Sequence, residues 1–284
     1  MTTVDLDRLA TILTEVAKMD IMPRWCNLKE GDIREKTGPS DLVTIADEAA
    51  ERRLIKLLPS LYPGSLVIGE ESIENNPSLI KLIEEDNPVW IVDPVDGTNN
   101  FVEGKDIFCL MVALNYHGKT IASAIHQPTQ ERTAIAGLNE GAWMLNHNGR
   151  ERLQVASAVA IDAMEGSLNF RFIPERLRFN IRKRVNAVLC DRYYSQGCAG
   201  YDYIQMATGQ WHYGIYWKKM PWDHLPGLLI HHEAGGYSAC IDGTAYCPTK
   251  LSGGIITTVD KQSWNELYYQ IIDSLETRDL DDSK

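Results

Sequence analysis

The chain has 284 residues, 44% of them hydrophobic, enough for one large domain or two closely joined subdomains around a substantial core. A formal net charge of -11 and a pI near 5.1 exclude nucleic acid as the main partner, because binding a phosphate backbone needs a basic surface. The six cysteines, Cys26, Cys109, Cys190, Cys198, Cys240 and Cys247, form no CxxC pair, which points to reduced thiols and away from a disulfide framework or zinc site.

The first turns carry Asp5, Asp7, Arg8, Glu15 and Lys18, which is wrong for a signal peptide, and no apolar run reaches transmembrane length. The expectation is a cytoplasmic protein with no membrane partner. Leu6, Leu9, Ile12, Leu13 and Val16 recur at helical spacing, so the chain opens with an amphipathic helix. Asp32 to Ser40 is polar and contains Gly38-Pro39, the composition of a mobile loop. A second helix follows Thr44, with Ile45, Ala49, Leu54, Ile55 and Leu58 as its expected buried face, and Pro59 with Pro63-Gly64 ends it. Thr44 and Asp47 have capping-box spacing, which by itself marks only a helix start. Ser65 to Ile68 reads as a short strand ending at Gly69-Glu70-Glu71, an acidic pair of a kind that is most often solvated.

The segment Trp90 to Phe101, WIVDPVDGTNNF, is the most specific in the chain. Val89 to Val92 forms a short buried strand, and Pro94, lacking an amide proton, is expected to stop its ladder. Asp93 and Asp96 then project from the tip of a rigid element, and two hard oxygen donors on a turn suit Mg²⁺. Gly97 lets the backbone approach a ligand, and Thr98 can cap a following short helix whose free amides would form an anion site. Asp-Gly and Asp-Pro pairs usually just mark turns, so turn chemistry alone leaves metal binding open. An EF-hand is excluded, because Pro94 and Val95 break its alternating donor pattern.

From Ile107 to Val155, short polar turns at His117-Gly118-Lys119, Gln127-Pro128-Thr129, Asn139-Glu140-Gly141 and Asn148-Gly149 predict an antiparallel meander. Beyond residue 156 strands and helices alternate: a strand near Glu165 to Leu168, a helix near Pro174 to Val188, and a last helix from Asp260. The expected organisation is an N-terminal α+β subdomain over residues 1-155, a C-terminal α/β subdomain over 156-275 and a polar tail over 276-284. Arg176, Arg178, Arg182, Lys183 and Arg184 read as a solvated helix face, and Trp211, Tyr213, Tyr216 and Trp217 as packing. Pro221-Trp222-Asp223 places Asp223 at a helix N-terminus, with Pro226 in the first turn and Gly235-Gly236 as a C-cap. His231 and His232 are ordinary helix residues, without zinc-protease spacing.

Taken in order, DLVTIAD (Asp41 to Asp47), GEES (Gly69 to Ser72), WIVDPVDGTNNF, SQGCAG (Ser195 to Gly200) and PWDHLPGLLIHHEAGG (Pro221 to Gly236) resemble the inositol monophosphatase family. That family lies within the Mg²⁺-dependent, lithium-sensitive phosphatases that include bisphosphate nucleotidases and fructose-1,6-bisphosphatases. The resemblance covers nearly the whole chain. It implies a five-layer αβαβα sandwich and often a homodimer. It further implies two or three Mg²⁺ ions on Glu70, Asp93, Asp96, Asp223 and the Val95 carbonyl, clamping the two ends of an in-line displacement. Glu70, with Thr98 and its partner Asp47, would direct the attacking water activated by metal. The Gly97 and Thr98 amides would hold the phosphate, and Asp96, Ala199, Tyr216 and Asp223 would contact the substrate.

The substrate wall departs from the family pattern. Inositol-specific members carry a Glu where an ungapped count back from Asp223 places Tyr216; the usual Arg-Ser is Tyr194-Ser195, and Gly-Thr-Ala-Ala is Gly197-Cys198-Ala199-Gly200. Tyr216, Trp217 and Lys218 would suit an aromatic or more anionic substrate. Inositol monophosphate is the leading expectation. Histidinol phosphate, a sugar phosphate or a 3′-phosphonucleotide is the alternative, and a non-catalytic regulatory protein on this fold is the alternative from another class.

Overall fold

A computed structural model describes residues 4–38 and 41–273. Helix α1 (Leu6–Val16) starts at Asp5, whose side chain accepts the Arg8 amide, and it buries Leu6, Leu9, Ile12, Leu13 and Val16 as the periodicity predicts. The helix continues as one π-helical turn to Ile21. The expected loop at Asp32 to Ser40 is instead largely strand: β1 (Ile33–Gly38) pairs antiparallel with β2 (Asp41–Thr44), while Pro39 and Ser40 lie outside the described residues. A polar strand forms here because Lys36 has carboxylate partners far along the chain, which no local pattern signals.

Helix α2 (Ile45–Leu57) has the expected capping box, with Thr44 and Asp47 satisfying each other's end groups. That cap also fixes the rotation of the helix. The buried face is Ala46, Asp47, Ala50, Glu51 and Leu54, followed by Leu58, whereas Ile45 and Ile55 are exposed and Ala49 is only half-buried. Of the expected face, Leu54 and Leu58 are buried, but Ile45, Ala49 and Ile55 give way to Ala46, Ala50 and two acidic side chains, Asp47 and Glu51.

Strand β3 (Leu66–Gly69) leads directly into α3 (Glu70–Asn75) and runs parallel to β4 (Val89–Asp96). Pro94 does not end β4. Pairing with β5 (Cys109–Tyr116) slips between Asp93↔Met111 and Asp96↔Cys109, so the proline is absorbed at a bulge, where no ladder donor is required of it. A five-residue helix, α4 (Thr98–Val102), follows. The meander is as expected: β5, β6 (Lys119–Gln127), β7 (Arg132–Gly137), β8 (Gly141–Asn146) and β9 (Gly149–Arg152) continue the sheet antiparallel and in sequence order.

The second half alternates as expected: β10 (Gly166–Leu168), α5 (Glu175–Leu189), β11 (Tyr193–Tyr194), α6 (Ala199–Ala207), β12 (Tyr213–Tyr216) and α7 (Pro221–Glu233). It closes with β13 (Tyr237–Cys240), β14 (Ile255–Thr258) and α8 (Lys261–Leu267), the last capped by Asp260. These strands form a sheet in the order β11-β10-β12-β14-β13. Pro226 is not in the first turn of α7: the helix begins at Pro221, which takes the unpaired first position, and Pro226 lies inside it.

Helices α1 and α2 cover one face of the first sheet, α6 and α7 lie between the sheets, and α5 and α8 cover the far face of the second. The result is the expected αβαβα sandwich, and the helices between the sheets belong to the second half of the sequence. On α5, Arg178 and Arg184 donate to carbonyls of this chain and Arg182 lies over Phe170, so part of the basic face is tied down. No helix among the described residues is long and apolar enough to cross a membrane, and the polar tail from Glu276 lies outside them.

Candidate active site

The first sheet ends in a carboxylate cluster because three chain segments turn at the same edge. Glu70 is the first residue of α3, directly after β3; Asp93 lies in β4 at the bulge; Asp223 is in the first turn of α7. Each offers an oxygen, and the three oxygens lie within 4.8 Å of one another. Asp93 is buried, and its Oδ1 has no hydrogen-bond partner. Burial first, and then the charges of Glu70, Asp96 and Asp223, push its carboxyl well above the usual range.

Asp96 lies beside this cluster and is held from across the molecule. Its Oδ2 accepts the Gly200 amide at 2.6 Å and the Cys198 thiol at 3.0 Å, and the Ala199 amide also bonds to the carboxylate, so it caps the N-terminus of α6. Burial and the charge of Asp223 still raise it. The chain reaches α4 only through Gly97, which has φ +88°; a Cβ there would stand 2.9 Å from the Ile107 carbonyl oxygen and 3.2 Å from Cys198 Cβ.

Thr98 opens α4 and donates to the Val95 carbonyl at 2.9 Å, with Asp47 Oδ1 at 3.4 Å. The other oxygen of Asp47 accepts the Thr44 amide at 2.9 Å and the Thr44 hydroxyl at 2.5 Å. One carboxylate thus caps α2 and faces the site together. Burial pushes Asp47 up to about 7 against those hydrogen bonds.

Three supporting residues escaped sequence reasoning. Lys36, almost wholly buried, reaches Glu70 at 3.0 Å and Glu71 at 2.7 Å. Burial opposes its charge, but the two glutamates outweigh that and raise its pKa. Burial carries Glu71 up to about 8 despite Lys36. Glu51, one turn after Asp47, receives the amides of Glu71 and Ser72 at 3.0 and 2.9 Å, together with the Ser72 hydroxyl. Its i,i+4 spacing from Asp47 was a readable signal. Lys36 offered none. Asp202, three residues into α6 from Ala199, is the third, and its carboxyl accepts the Ser167 hydroxyl at 2.5 Å.

A cleft of about 180 Å³ is lined by Glu70, Asp93, Val95, Asp96, Gly97 and Thr98 from the first half of the chain. From the second half it receives Ala199, Asp202, Tyr216, Trp217, Lys218 and Asp223, with Arg171 and Phe172. Of the residues expected in the site, only Asp47 is outside this lining, one hydrogen bond behind Thr98. Lys218 lies 3.4 Å from Asp223, which raises its pKa. The Tyr216 ring stacks on Tyr203, and its hydroxyl is buried with no partner.

The donor set is all oxygen and all hard, and the orphaned Asp93 Oδ1 has a use if a cation shares the cluster; the residues fit Mg²⁺.

Known proteins agree with the fold and show the family. A protein from Thermotoga maritima named fructose-1,6-bisphosphatase/inositol-1-monophosphatase is 29% identical over 237 residues, covering 81% of this chain and 82% of that protein. A Vibrio cholerae protein named Nus factor SuhB is 31% identical over 209 residues, covering 70% and 71%. Among solved structures, Thermotoga maritima IMPase superposes with a TM-score of 0.77 over 93% of this chain and 95% of that one at 24% identity, a likeness of fold. The model of the inositol monophosphatase family matches residues 5–277, so this chain belongs to that family and is a phosphatase of its superfamily.

Proposed function

We propose that the chain is a Mg²⁺-dependent phosphomonoesterase of a small phosphorylated metabolite, with inositol monophosphate as the first substrate to test. The observation that carries the reading is the convergence of Glu70, Asp93 and Asp223 within 4.8 Å, with one oxygen of buried Asp93 unpartnered. Those three, with Asp96 and the Val95 carbonyl, would hold two or three ions. Such ions supply charge neutralisation for the phosphoryl group and for both ends of an in-line displacement.

The chain's own residues supply position. Thr98 gives its single proton to the Val95 carbonyl or to Asp47, so an Oγ lone pair can accept from a water molecule and orient it. Glu70 faces the same space and takes the proton that water loses. The Gly97 and Thr98 amides hold phosphate oxygens. Asp96, Ala199, Tyr216 and Asp223 border the alcohol half, with Lys218 and Arg171 also in the lining. Lithium inhibition, a cytoplasmic homodimer and the small size of the substrate belong to the same reading.

The altered wall at Tyr216 keeps histidinol phosphate, sugar phosphates and 3′-phosphonucleotides in view. The test is phosphate release from inositol 1-phosphate and this panel, with Mg²⁺ and with a chelator, alongside a lithium titration at fixed Mg²⁺. Mg²⁺-dependent release from at least one ester is expected. Indifference to inositol 1-phosphate beside rapid turnover of another compound ends the inositol reading, and no release from any ester ends the phosphatase reading of this chain.

A further inference from the structure

Among the described residues, two ammonium groups flank the carboxylate cluster, and they are held in different ways. Lys36 is almost wholly buried and reaches both Glu70 and Glu71, so it is fixed. Lys218 Nζ lies 3.4 Å from Asp223 Oδ2 in the cleft, and its side chain is 42% exposed. Asp223 raises its pKa against burial, and Glu70 and Asp93 add to the effect, so its charge acts on all three members of the cluster.

The backbone beneath Lys218 is pinned from two sides. Its carbonyl accepts His224 Nε2 at 2.6 Å. A carbonyl can only accept, so the proton is on Nε2, and Nδ1 of the same buried ring accepts the Tyr203 hydroxyl at 3.0 Å. At the next residue, the Tyr246 hydroxyl donates to the Lys219 carbonyl at 3.0 Å, and buried Lys219 donates to the Ser252 carbonyl at 3.0 Å. The main chain at 218 and 219 is thus tied to α6, to α7 and to the loop between β13 and β14. The flexible four-carbon stem of Lys218 can therefore leave Asp223 without moving the backbone. A cation bound through Asp223 and an ammonium beside the same carboxylate repel each other, so each weakens the hold of the other.

Resting on the Mg²⁺ reading of the cluster, we propose that Lys218 is a displaceable counter-ion that competes with Mg²⁺ for Asp223. Its ammonium holds Asp223 in the metal-free protein and gives it up when Mg²⁺ binds. The cluster can then form before metal arrives, and it binds Mg²⁺ less tightly than the same carboxylates would without the lysine. Lys218 is a positioning residue here, acting through Asp223.

The experiment titrates Mg²⁺ into metal-stripped protein by calorimetry with no substrate present, and records thermal melts with a chelator and with saturating Mg²⁺. Lys218→Met keeps the length of the side chain and removes its charge. The Mg²⁺ concentration at half-saturation is expected to fall about fivefold or more, which matches the attraction of two unit charges about 4 Å apart even when screened by water. With a chelator the variant should melt below wild type, because Asp223 has lost its counter-charge, and saturating Mg²⁺ should close the gap. Lys218→Arg keeps the charge and should stay within about twofold of wild type in Mg²⁺ affinity. Should Lys218→Met fail to fold, Lys218→Gln removes the charge with a polar side chain, and the same gain in affinity is expected.

A gain below about twofold in a folded Lys218→Met or Lys218→Gln variant overturns the proposal. So does the same gain in Lys218→Arg, which would mean that charge is not the agent. Equal loss of melting temperature with chelator and with Mg²⁺ also overturns it, being the mark of a lysine that only supports the fold. Wild-type protein that takes up no Mg²⁺ overturns the Mg²⁺ reading and this inference with it, whereas wild-type uptake with no gain in the uncharged variants overturns only the role of Lys218.

Discussion

Glu51 on α2 accepts the backbone amides of Glu71 and Ser72 on α3, at 3.0 and 2.9 Å. These are amides of the first turn of the helix that opens with Glu70, so a carboxylate behind the site sets the direction of one in it. Gly69 is required by the same contact, because a Cβ there would collide with the Glu51 carboxylate and the Val92 side chain. Glu51→Ala is therefore expected to cost about 1–3 kcal/mol of stability from the amides left bare. It should also lower kcat/KM roughly 10- to 100-fold and raise the Mg²⁺ concentration at half-maximal activity. A thermal melt and a Mg²⁺ titration check both, and wild-type values in both would show that Glu51 does not position Glu70.

Asp93→Asn removes one carboxylate of the three-oxygen cluster while keeping its shape. Activity should drop below about 1% of wild type, because the amide is a poor cation ligand. Stability without metal should be unchanged or higher, since Asp93 bears the repulsion of Glu70, Asp96 and Asp223. Normal turnover by this variant would place the cations elsewhere.

Much of this site was legible because its parts follow one another along the chain. The run from Val89 to Val92 and the turn at Asp93 to Thr98 announce a strand tip with oxygen donors, and the motifs around Glu70 and Asp223 point through resemblance to the other carboxylates that meet Asp93 there. The hidden parts depend on distance or phase. Pro94 looked like a terminus, yet β4 absorbs it at a bulge because β5 slips by one residue opposite. Ile45 and Ile55 looked buried, yet the cap at Thr44 turns α2 so that Ala46, Ala50 and Leu54 face the core. Lys36 and Asp202 carry no periodic signal, since what buries each is a partner 34 to 35 residues away.

Gly97→Ala tests whether the turn into α4 is held under constraint. The residue has φ +88°, and the added methyl group would meet the Ile107 carbonyl at 2.9 Å. A cost of about 1–3 kcal/mol is expected, with loss of turnover as Thr98 moves. The melting temperature and phosphate release should fall together. A variant as stable and as active as wild type would show that the backbone adapts without displacing Thr98.

The final expectation concerns pH and metal together. Asp47 is raised to about 7 and Glu71 to about 8, chiefly by burial, and Asp93, Asp96 and Asp202 are raised in the same direction. A carboxyl raised in the folded state holds its proton where the unfolded chain has lost it, so it contributes stability at low pH that is lost as pH rises through the folded pKa. Three buried histidines, His126, His224 and His231, act in the opposite sense, each lowered from 6.5 to about 4 by burial. Their contribution changes only between those two values, so above pH 6.5 they no longer oppose the carboxyls. Without divalent cation, the melting temperature should therefore fall as pH rises from 6.5 to 8.5. Saturating Mg²⁺ should raise it throughout and flatten or reverse the slope, because cation binding requires the carboxylates to be ionised and becomes more favourable as they lose their protons. Melts across this range with a chelator and with Mg²⁺ measure both slopes. A metal-free melting temperature that is flat or rising would mean that the buried carboxyls are already ionised in the folded chain.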